Sequence, residues 1–217
     1  RWQTGDEDAL LQGEASTTQT PRIAFLFSGA GAQYVGMGDA LYHAEPIFRA
    51  AIDRCHDLLQ GRLAMGLREL LFGAAGTPAG EALDRIENAQ PALFALQFAL
   101  VELWRAWGIA PDAVAGHSAG EYAAAVCAGV LTLEEGLDLV LARSQLMATL
   151  PAQGEMLSVH TTLPQVETGL QRIGRSATIA VINASDRIVL SGTAAEIEAA
   201  HQHFAAHGIE TKRLQIG

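Results

Sequence analysis

The chain has 217 residues, of which 49% are hydrophobic and 18% are charged, and this composition argues against both disorder and a coiled coil. With 24 acidic and 14 basic side chains, the formal net charge is −10, which disfavours binding to the phosphate backbone of a nucleic acid.

The first 150 residues alternate between predicted strands and helices. Residues 1–21 are polar and predict a linker or tail from an upstream domain. The apolar run Ile23–Phe27 predicts a strand covered on both faces, as in a parallel sheet, and it leads into a turn of small residues. A helix is predicted near 46–59, and another from Asn88 to Trp107 with Pro91 in its first turn. A short buried strand is predicted at 113–115, followed by a helix after 120. A further helix is predicted from the capping box Thr132–Glu135 to about Thr149.

From Gly154 the pattern changes to that of a small unit with short strands. Its predicted elements are a strand at 156–161, a helix at 162–172 capped by Thr162 and Gln165, a hairpin of 178–183 and 187–191, a helix capped by Thr193 and Glu196, and a strand at 210–214. The order β-α-β-β-α-β is that of a ferredoxin-like split unit. We therefore assign 22–152 to a large α/β subdomain and 153–215 to an inserted ferredoxin-like small subdomain, and expect the remainder of the large subdomain beyond residue 217.

Two cysteines, Cys55 and Cys127, match neither a CxxC motif nor a metal-ligand spacing. Isolated cysteines are typical of core thiols in a reducing compartment. The sequence also lacks a signal-peptide pattern and any run near the roughly 18 apolar residues of a membrane span. We expect a cytoplasmic protein with no metal site and with neither a nucleic-acid nor a membrane partner.

Residues Gly116–Gly120 match the motif G-x-S-x-G between a predicted strand and an alanine-rich helix. A sharp strand-to-helix turn would lift the Ser118 hydroxyl out of the sheet, and the two glycines would keep Cβ atoms out of that turn. The motif can arise by chance in a sequence rich in alanine and glycine. Its context nevertheless favours a nucleophilic serine and an α/β-hydrolase-like large subdomain with part of a parallel sheet.

A serine nucleophile needs a base within hydrogen-bonding distance, and no histidine of this chain lies in a convincing motif. His117 adjoins the serine, but in such a turn we expect its ring to point back into the fold, buried and hydrogen-bonded. The sequence therefore predicts a nucleophile without identifying its base.

The segment Gly29–Gly31 follows the first strand but does not match the dinucleotide fingerprint G-x-G-x-x-G. An oxyanion hole commonly joins the amide after the nucleophile to an amide of an earlier loop, which here would be those of Ala119 and Ala30. A plain tight turn between strand and helix is the alternative interpretation.

Taken together, the sequence resembles the acyltransferase domain of modular polyketide synthases and its relative, malonyl-CoA:acyl carrier protein transacylase. The resemblance covers about residues 22–217 and rests on six motifs in the expected order: 27–33, 90–95, 116–121, Arg143 with Met147, 154–156 and 189–192. It implies a ping-pong transfer in which Ser118 takes an acyl group from coenzyme A and passes it to the phosphopantetheine thiol of an acyl carrier protein. Thioesters are then substrates, and no cofactor is implied.

The resemblance assigns Arg143 to the free carboxylate of a malonyl-type extender unit. Chemistry agrees, because a planar guanidinium binds a carboxylate through two parallel hydrogen bonds. Spacing alone favours a salt bridge with Glu134 or Asp138 on the same helix. Segment 86–91 is closer to the malonyl than to the methylmalonyl variant of the family, whereas Ala119 leaves that choice open.

The resemblance also has consequences for what surrounds the site. The family usually has glutamine at the position of Ala30, and the substitution keeps the backbone amide. The family's catalytic histidine would lie shortly beyond Gly217, and the polar leader suits a neighbouring ketosynthase domain. Two other functions stay open: a serine esterase or thioesterase, and a non-catalytic scaffold that binds carrier protein.

Overall fold

The computed structural model describes residues 21–150, 154–174 and 177–214. In the first range the elements are β1 (Ala24–Phe27), α1 (Asp39–Ala44), α2 (Pro46–Leu58), α3 (Leu67–Phe72), α4 (Pro78–Leu83), α5 (Ile86–Ala106), β2 (Ala113–Gly116), α6 (Gly120–Cys127) and α7 (Leu133–Ala148). The other two ranges contain β3 (Gly154–Val159), α8 (Leu163–Arg172), β4 (Thr178–Ala184), β5 (Arg187–Thr193), α9 (Ala194–Ala206) and β6 (Thr211–Leu214). The fold is thus α/β. The predicted linker lies, except for Pro21, outside the described residues.

Strands β1 and β2 form a parallel pair, with Ala24 opposite Ala113 and Phe27 opposite Gly116. The predicted parallel sheet is confirmed, and within the described residues β1 is covered on one face. Phe27 is only 6% exposed, whereas Leu26 on the opposite face is 80% exposed. Within the described residues, helices cover the Phe27 face and no element packs over Leu26.

Helix α5 is the centre of the large helical core and packs against α2, α6 and α7. It begins at Ile86, two residues earlier than predicted, so that Pro91 lies in the second turn rather than the first. The side-chain amide of Asn88 donates to the Ala82 carbonyl at 2.9 Å, which links the start of α5 to the end of α4. This contact across the turn could not be read from residue spacing.

Helix α7 places its N-terminal half against α5 and α6 at close range. The predicted capping box is confirmed, since the Thr132 hydroxyl accepts from the Glu135 amide while the Glu135 carboxylate accepts from the Thr132 amide. A Cβ at Gly136 would lie 2.5 Å from a Val126 methyl group and 2.8 Å from the Phe94 ring. Glycine at this position lets the three helices approach one another closely.

The second unit is a four-stranded antiparallel sheet with the strand order β4-β5-β3-β6. Because side chains alternate along a strand, one face carries Leu157 and Leu190, which pack with α8 and α9 into a second core. The opposite face carries Met156, Val189 and Lys212, which line a cleft between the two units. The unit therefore presents one covered face and one open face.

The caps of the two helices in this unit differ. Thr193 and Glu196 form the predicted capping box of α9. Thr162 is the N-cap residue of α8, as predicted, but its hydroxyl donates to the side-chain oxygen of Gln165 at 3.1 Å and accepts from no backbone amide. The Gln165 oxygen also accepts from the Thr161 hydroxyl.

Cys55 and Cys127 are buried and unpaired among the described residues, as the sequence predicts. Burial raises the pKa of the Cys55 thiol to about 12 and also raises that of Cys127. In the described parts of the chain, every helix is too short or too polar to cross a membrane.

Replacement of Gly136 by alanine should destabilise the protein. Alanine is favoured over glycine inside a helix by about 1 kcal/mol, but overpacking a core costs about 1–3 kcal/mol, and here the added methyl would overlap two neighbours. We expect a net loss of up to about 2 kcal/mol in the free energy of unfolding, measured by urea denaturation. Ala142→Gly, on the exposed face of α7, is the control that measures the effect of helix propensity alone. A gain in stability in Gly136→Ala would contradict the packing argument.

Candidate active site

Ser118 lies in the turn between β2 and α6, and its backbone has φ 53°. Among the described non-glycine residues it is the one with positive φ. Such a conformation costs about 1–3 kcal/mol and persists only where surrounding structure imposes it, most often at functional sites. The strained turn presents the Ser118 hydroxyl at the surface of a cleft, as the motif predicts.

Both glycines of the motif are required by close backbone contacts. A Cβ at Gly116 would lie 2.3 Å from the Glu121 amide nitrogen, and one at Gly120 would lie 2.3 Å from the Phe27 carbonyl oxygen. These are backbone atoms of packed elements, so they cannot move aside as a flexible side chain would. The prediction that Cβ atoms would collide in this turn is confirmed.

The two amides proposed for an oxyanion hole lie beside this turn. Ala119 is the N-cap residue of α6, and Ala30 lies in the loop after β1 and lines the same cleft. Within the described parts of the chain, neither N–H has a hydrogen-bond acceptor. Gln97 supports the Ala30 loop by donating to the Ser28 carbonyl at 2.8 Å. Both amides are available to a ligand, and their role as an oxyanion hole stays a prediction.

Arg143, on α7, reaches across to the serine. One guanidinium nitrogen donates to the Ser118 hydroxyl oxygen at 3.1 Å, and another donates to the side-chain oxygen of Gln90. The chain thus brings a permanent positive charge to the predicted nucleophile. A carboxylate on a bound acyl group would meet this charge next to the serine.

The alternative partners considered for Arg143 are engaged elsewhere. Glu134 pairs with Arg54 at 2.8 Å, and Asp138 pairs with Arg62 at 2.7 Å. Helix α7 directs these two carboxylates toward α2 and the loop after it, whereas Arg143 points to the other side. The salt-bridge interpretation of Arg143 is therefore wrong.

Gln90 is the contact residue that sequence reasoning missed. It is only 1% exposed on α5, and its amide donates to the Met147 sulfur at 3.5 Å while its oxygen accepts from Arg143. A glutamine within the apolar segment 89–95 was the available signal, because buried polar side chains need partners. The sequence could not indicate that the partner lies on another helix.

His117 differs from its prediction as a buried, hydrogen-bonded side chain. It is exposed and lines the cleft. The loop after β1 passes close to this turn, since a Cβ at Gly29 would lie 2.8 Å from the His117 carbonyl. Among the described residues, no histidine ring hydrogen-bonds the Ser118 hydroxyl. The identity of the base stays open.

The cleft has a volume of about 700 Å³ and is lined by both units. Its described lining comprises Ala30, Ile86, Gln90, His117, Ser118, Arg143 and Met147 from the first 150 residues, with Met156, Val181, Asn183, Val189, Lys212, Arg213 and Leu214 from the second unit. This lining contains three basic residues and no aspartate or glutamate. Over the described ranges, histidine, cysteine and acidic side chains nowhere cluster as metal ligands would.

Residues 24–217 match the family described as Acyl transferase domain. The chain is 39% identical over 196 residues to polyketide synthase GfsA of Streptomyces halstedii, and 35% identical over 209 residues to erythronolide synthase EryA2 of Saccharopolyspora erythraea. These matches cover 90% and 96% of this chain but only 3% and 6% of those much longer proteins.

Solved structures give the same result. The acyltransferase domain from the second module of the salinomycin polyketide synthase superposes with a TM-score of 0.83 at 44% identity, covering 92% of this chain and 45% of that one. Malonyl CoA-acyl carrier protein transacylase from Clostridium perfringens gives a TM-score of 0.80 at 27% identity, covering 90% and 61% of the two chains. Sequence, fold and site geometry lead to one conclusion: this chain belongs to the acyl transferase domain family.

Proposed function

We propose that this chain loads a malonyl-type acyl group from coenzyme A onto an acyl carrier protein in polyketide biosynthesis, through an ester of Ser118. The observation that supports this most directly is the 3.1 Å hydrogen bond from Arg143 to the hydroxyl of a serine held at φ 53°. A strained serine is typical of a nucleophile, and a guanidinium beside it suits a substrate that carries its own carboxylate.

In the first half-reaction, the Ser118 oxygen attacks the thioester carbonyl carbon. A C–O bond forms, the C–S bond breaks, and coenzyme A leaves with the proton from the serine. In the second half-reaction, the pantetheine thiol attacks the seryl ester, a C–S bond forms, and the proton returns to Ser118. Each attack places negative charge on the carbonyl oxygen, where the free amides of Ala30 and Ala119 would donate to it.

Both proton transfers need a base. His117 lines the cleft without a hydrogen bond to the serine, so we assign it no such role. We propose that the base comes from outside the described residues.

Arg143 would select the acyl group. With the substrate carboxylate bound, the guanidinium satisfies its donors, whereas an acetyl group would leave a cation unpaired in a partly closed cleft. The absence of acidic residues from the described lining adds to this preference, because no carboxylate of the cleft competes for Arg143. The same feature disfavours an esterase for neutral substrates.

The two units correspond, in our proposal, to two subdomains with different roles. We propose an α/β-hydrolase-like large subdomain over 22–152, since β1 and β2 are parallel and β2 leads through Ser118 into α6. We propose a ferredoxin-like small subdomain over 153–215, since its strand order is β4-β5-β3-β6. The small subdomain would form one wall of the acyl cleft, and an upstream ketosynthase domain would be a neighbour in the same protein.

Replacement of Ser118 by alanine should abolish loading, because the described cleft lining contains no other hydroxyl or thiol that can form the ester. The full-length protein is incubated with malonyl-CoA, and the peptide that contains residue 118 is analysed by mass spectrometry. A mass increment of one malonyl group should be found in the protein with Ser118 and not in the Ser118→Ala variant. The rate of carrier-protein loading should fall at least about 1000-fold. Ser185→Ala in the β4–β5 turn is the matched control, and full loading in Ser118→Ala would contradict the mechanism.

Replacement of Arg143 by alanine should lower kcat/KM for malonyl-CoA about 100-fold, because the charge partner of the substrate carboxylate is lost. The kcat/KM for acetyl-CoA should stay the same or increase, so the ratio of kcat/KM for malonyl-CoA to that for acetyl-CoA should decrease strongly. Arg143→Lys keeps the charge but loses the paired donors, and should fall between the two. An unchanged malonyl-to-acetyl ratio would show that Arg143 does not bind the carboxylate.

Gln90→Glu tests whether Gln90 positions Arg143. The substitution is nearly isosteric, but its carboxylate would pair with the guanidinium and compete with the substrate. We expect KM for malonyl-CoA to rise about tenfold with little change in acetyl loading, measured by steady-state kinetics. A folding defect would lower both activities together, and equal losses for the two substrates would contradict a positioning role.

A further inference from the structure

The charge of the cleft is opposite to that of the chain as a whole. The chain carries a formal charge of −10, yet the described cleft lining contains Arg143, Lys212 and Arg213 and no acidic residue. An acidic protein repels anionic ligands unless basic groups reverse the potential at the binding site. The cleft can bind more negative charge than Arg143 alone accepts only if a second of these cations has no ion-pair partner.

Two of the three basic side chains already have partners. Arg143 donates to Gln90 and Ser118 beside the nucleophile. Arg213 is held by two carboxylates, those of Glu155 and Glu198. Its positive charge is thereby neutralised within the small unit.

Lys212 has no such partner among the described residues. It is exposed on β6 opposite Ser158 and is the single lysine of the chain. Its neighbours Thr211 and Arg213 contact α9 through His201 and Glu198, so alternation along the strand directs Lys212 to the open face of the sheet, which lines the cleft. A cation with no ion-pair partner is thus held on the wall opposite the one that supplies Arg143.

We infer that Lys212 binds a phosphate group at the far end of the pantetheine arm of the thioester substrate, an inference that rests on the proposed function. Coenzyme A and the phosphopantetheine of a carrier protein are both anionic at this end, while the acyl end carries the carboxylate proposed for Arg143. Two cations on the two walls of one cleft match a substrate with negative charge at both ends. A compact ammonium group suits a phosphate that need not be bound in a fixed planar geometry.

The test compares three malonyl thioesters with the full-length protein: malonyl-CoA, malonyl-4′-phosphopantetheine and malonyl-pantetheine, which has no phosphate. In Lys212→Gln, KM for malonyl-CoA should rise roughly threefold to tenfold with kcat unchanged, while KM for malonyl-pantetheine should not change. Lys212→Arg should retain most of the affinity. Arg187→Gln removes the same charge from the same sheet but outside the cleft lining, and should have no effect.

The three substrates and the acceptor identify which phosphate is bound. A KM increase with malonyl-4′-phosphopantetheine indicates the phosphate next to pantetheine, and a parallel increase in KM for phosphopantetheinylated carrier protein would show that Lys212 serves donor and acceptor alike. An increase confined to malonyl-CoA indicates the phosphates of its nucleotide part. Because salt screens charge interactions, added salt should raise KM for malonyl-CoA more in the protein with Lys212 than in the Lys212→Gln variant.

An unchanged KM for all three thioesters in Lys212→Gln would overturn the inference while leaving the proposed function intact. Equal increases for the charged thioesters and malonyl-pantetheine would overturn it too, because they would indicate a change in the shape of the cleft. Failure of the proposed function gives a different result, in which the unmodified protein forms no malonyl ester at Ser118 with any of the three. In that case, calorimetry with coenzyme A alone decides whether Lys212 binds phosphate, and equal affinity in Lys212→Gln overturns the inference.

Discussion

The site depends on how closely the backbone of β1 passes behind the turn at Ser118. Any side chain at Gly120 would collide with the Phe27 carbonyl, and any at Gly116 would collide with the amide of Glu121. Within this closely packed turn between β2 and α6, Ser118 has positive φ. Strain of about 1–3 kcal/mol is tolerated there because the parallel pair and the helical core hold both sides of the turn.

The same core determines where the positive charge of the cleft lies. Helix α7 approaches α5 because Gly136 has no side chain, and this brings Arg143 within reach of both Gln90 and Ser118. Gln90 is buried, so its contact with Arg143 is protected from solvent and its position is set by packing. The proposed preference for a carboxylated acyl group therefore depends on helix packing as much as on the arginine itself.

The small unit extends this charge arrangement to the other side of the cleft. Its helices cover one face of the sheet and leave the other face to line the cleft, where strand alternation alone decides which side chains are presented. Along β6 this alternation directs Lys212 to the cleft, whereas Arg213 forms ion pairs with the carboxylates of Glu155 and Glu198. An acidic chain thereby acquires a basic cleft without any cluster of basic residues in its sequence.

Local sequence determined the capping boxes at Thr132 and Thr193, because their contacts lie within a few residues. The parallel pairing of β1 and the need for glycine around Ser118 were also predictable, because an apolar run and the G-x-S-x-G motif indicate them, although the contacts that enforce them are distant along the chain. Only the tertiary structure decided that Arg143 turns from Glu134 and Asp138 to Ser118, that Gln90 holds it, and that His117 faces the cleft. The contacts of Arg143 join residues 25 and 53 positions apart, and the orientation of His117 depends on the backbone that packs against its turn. Packing between distant elements determines the free energy of such contacts, and residue spacing along the chain does not predict that packing.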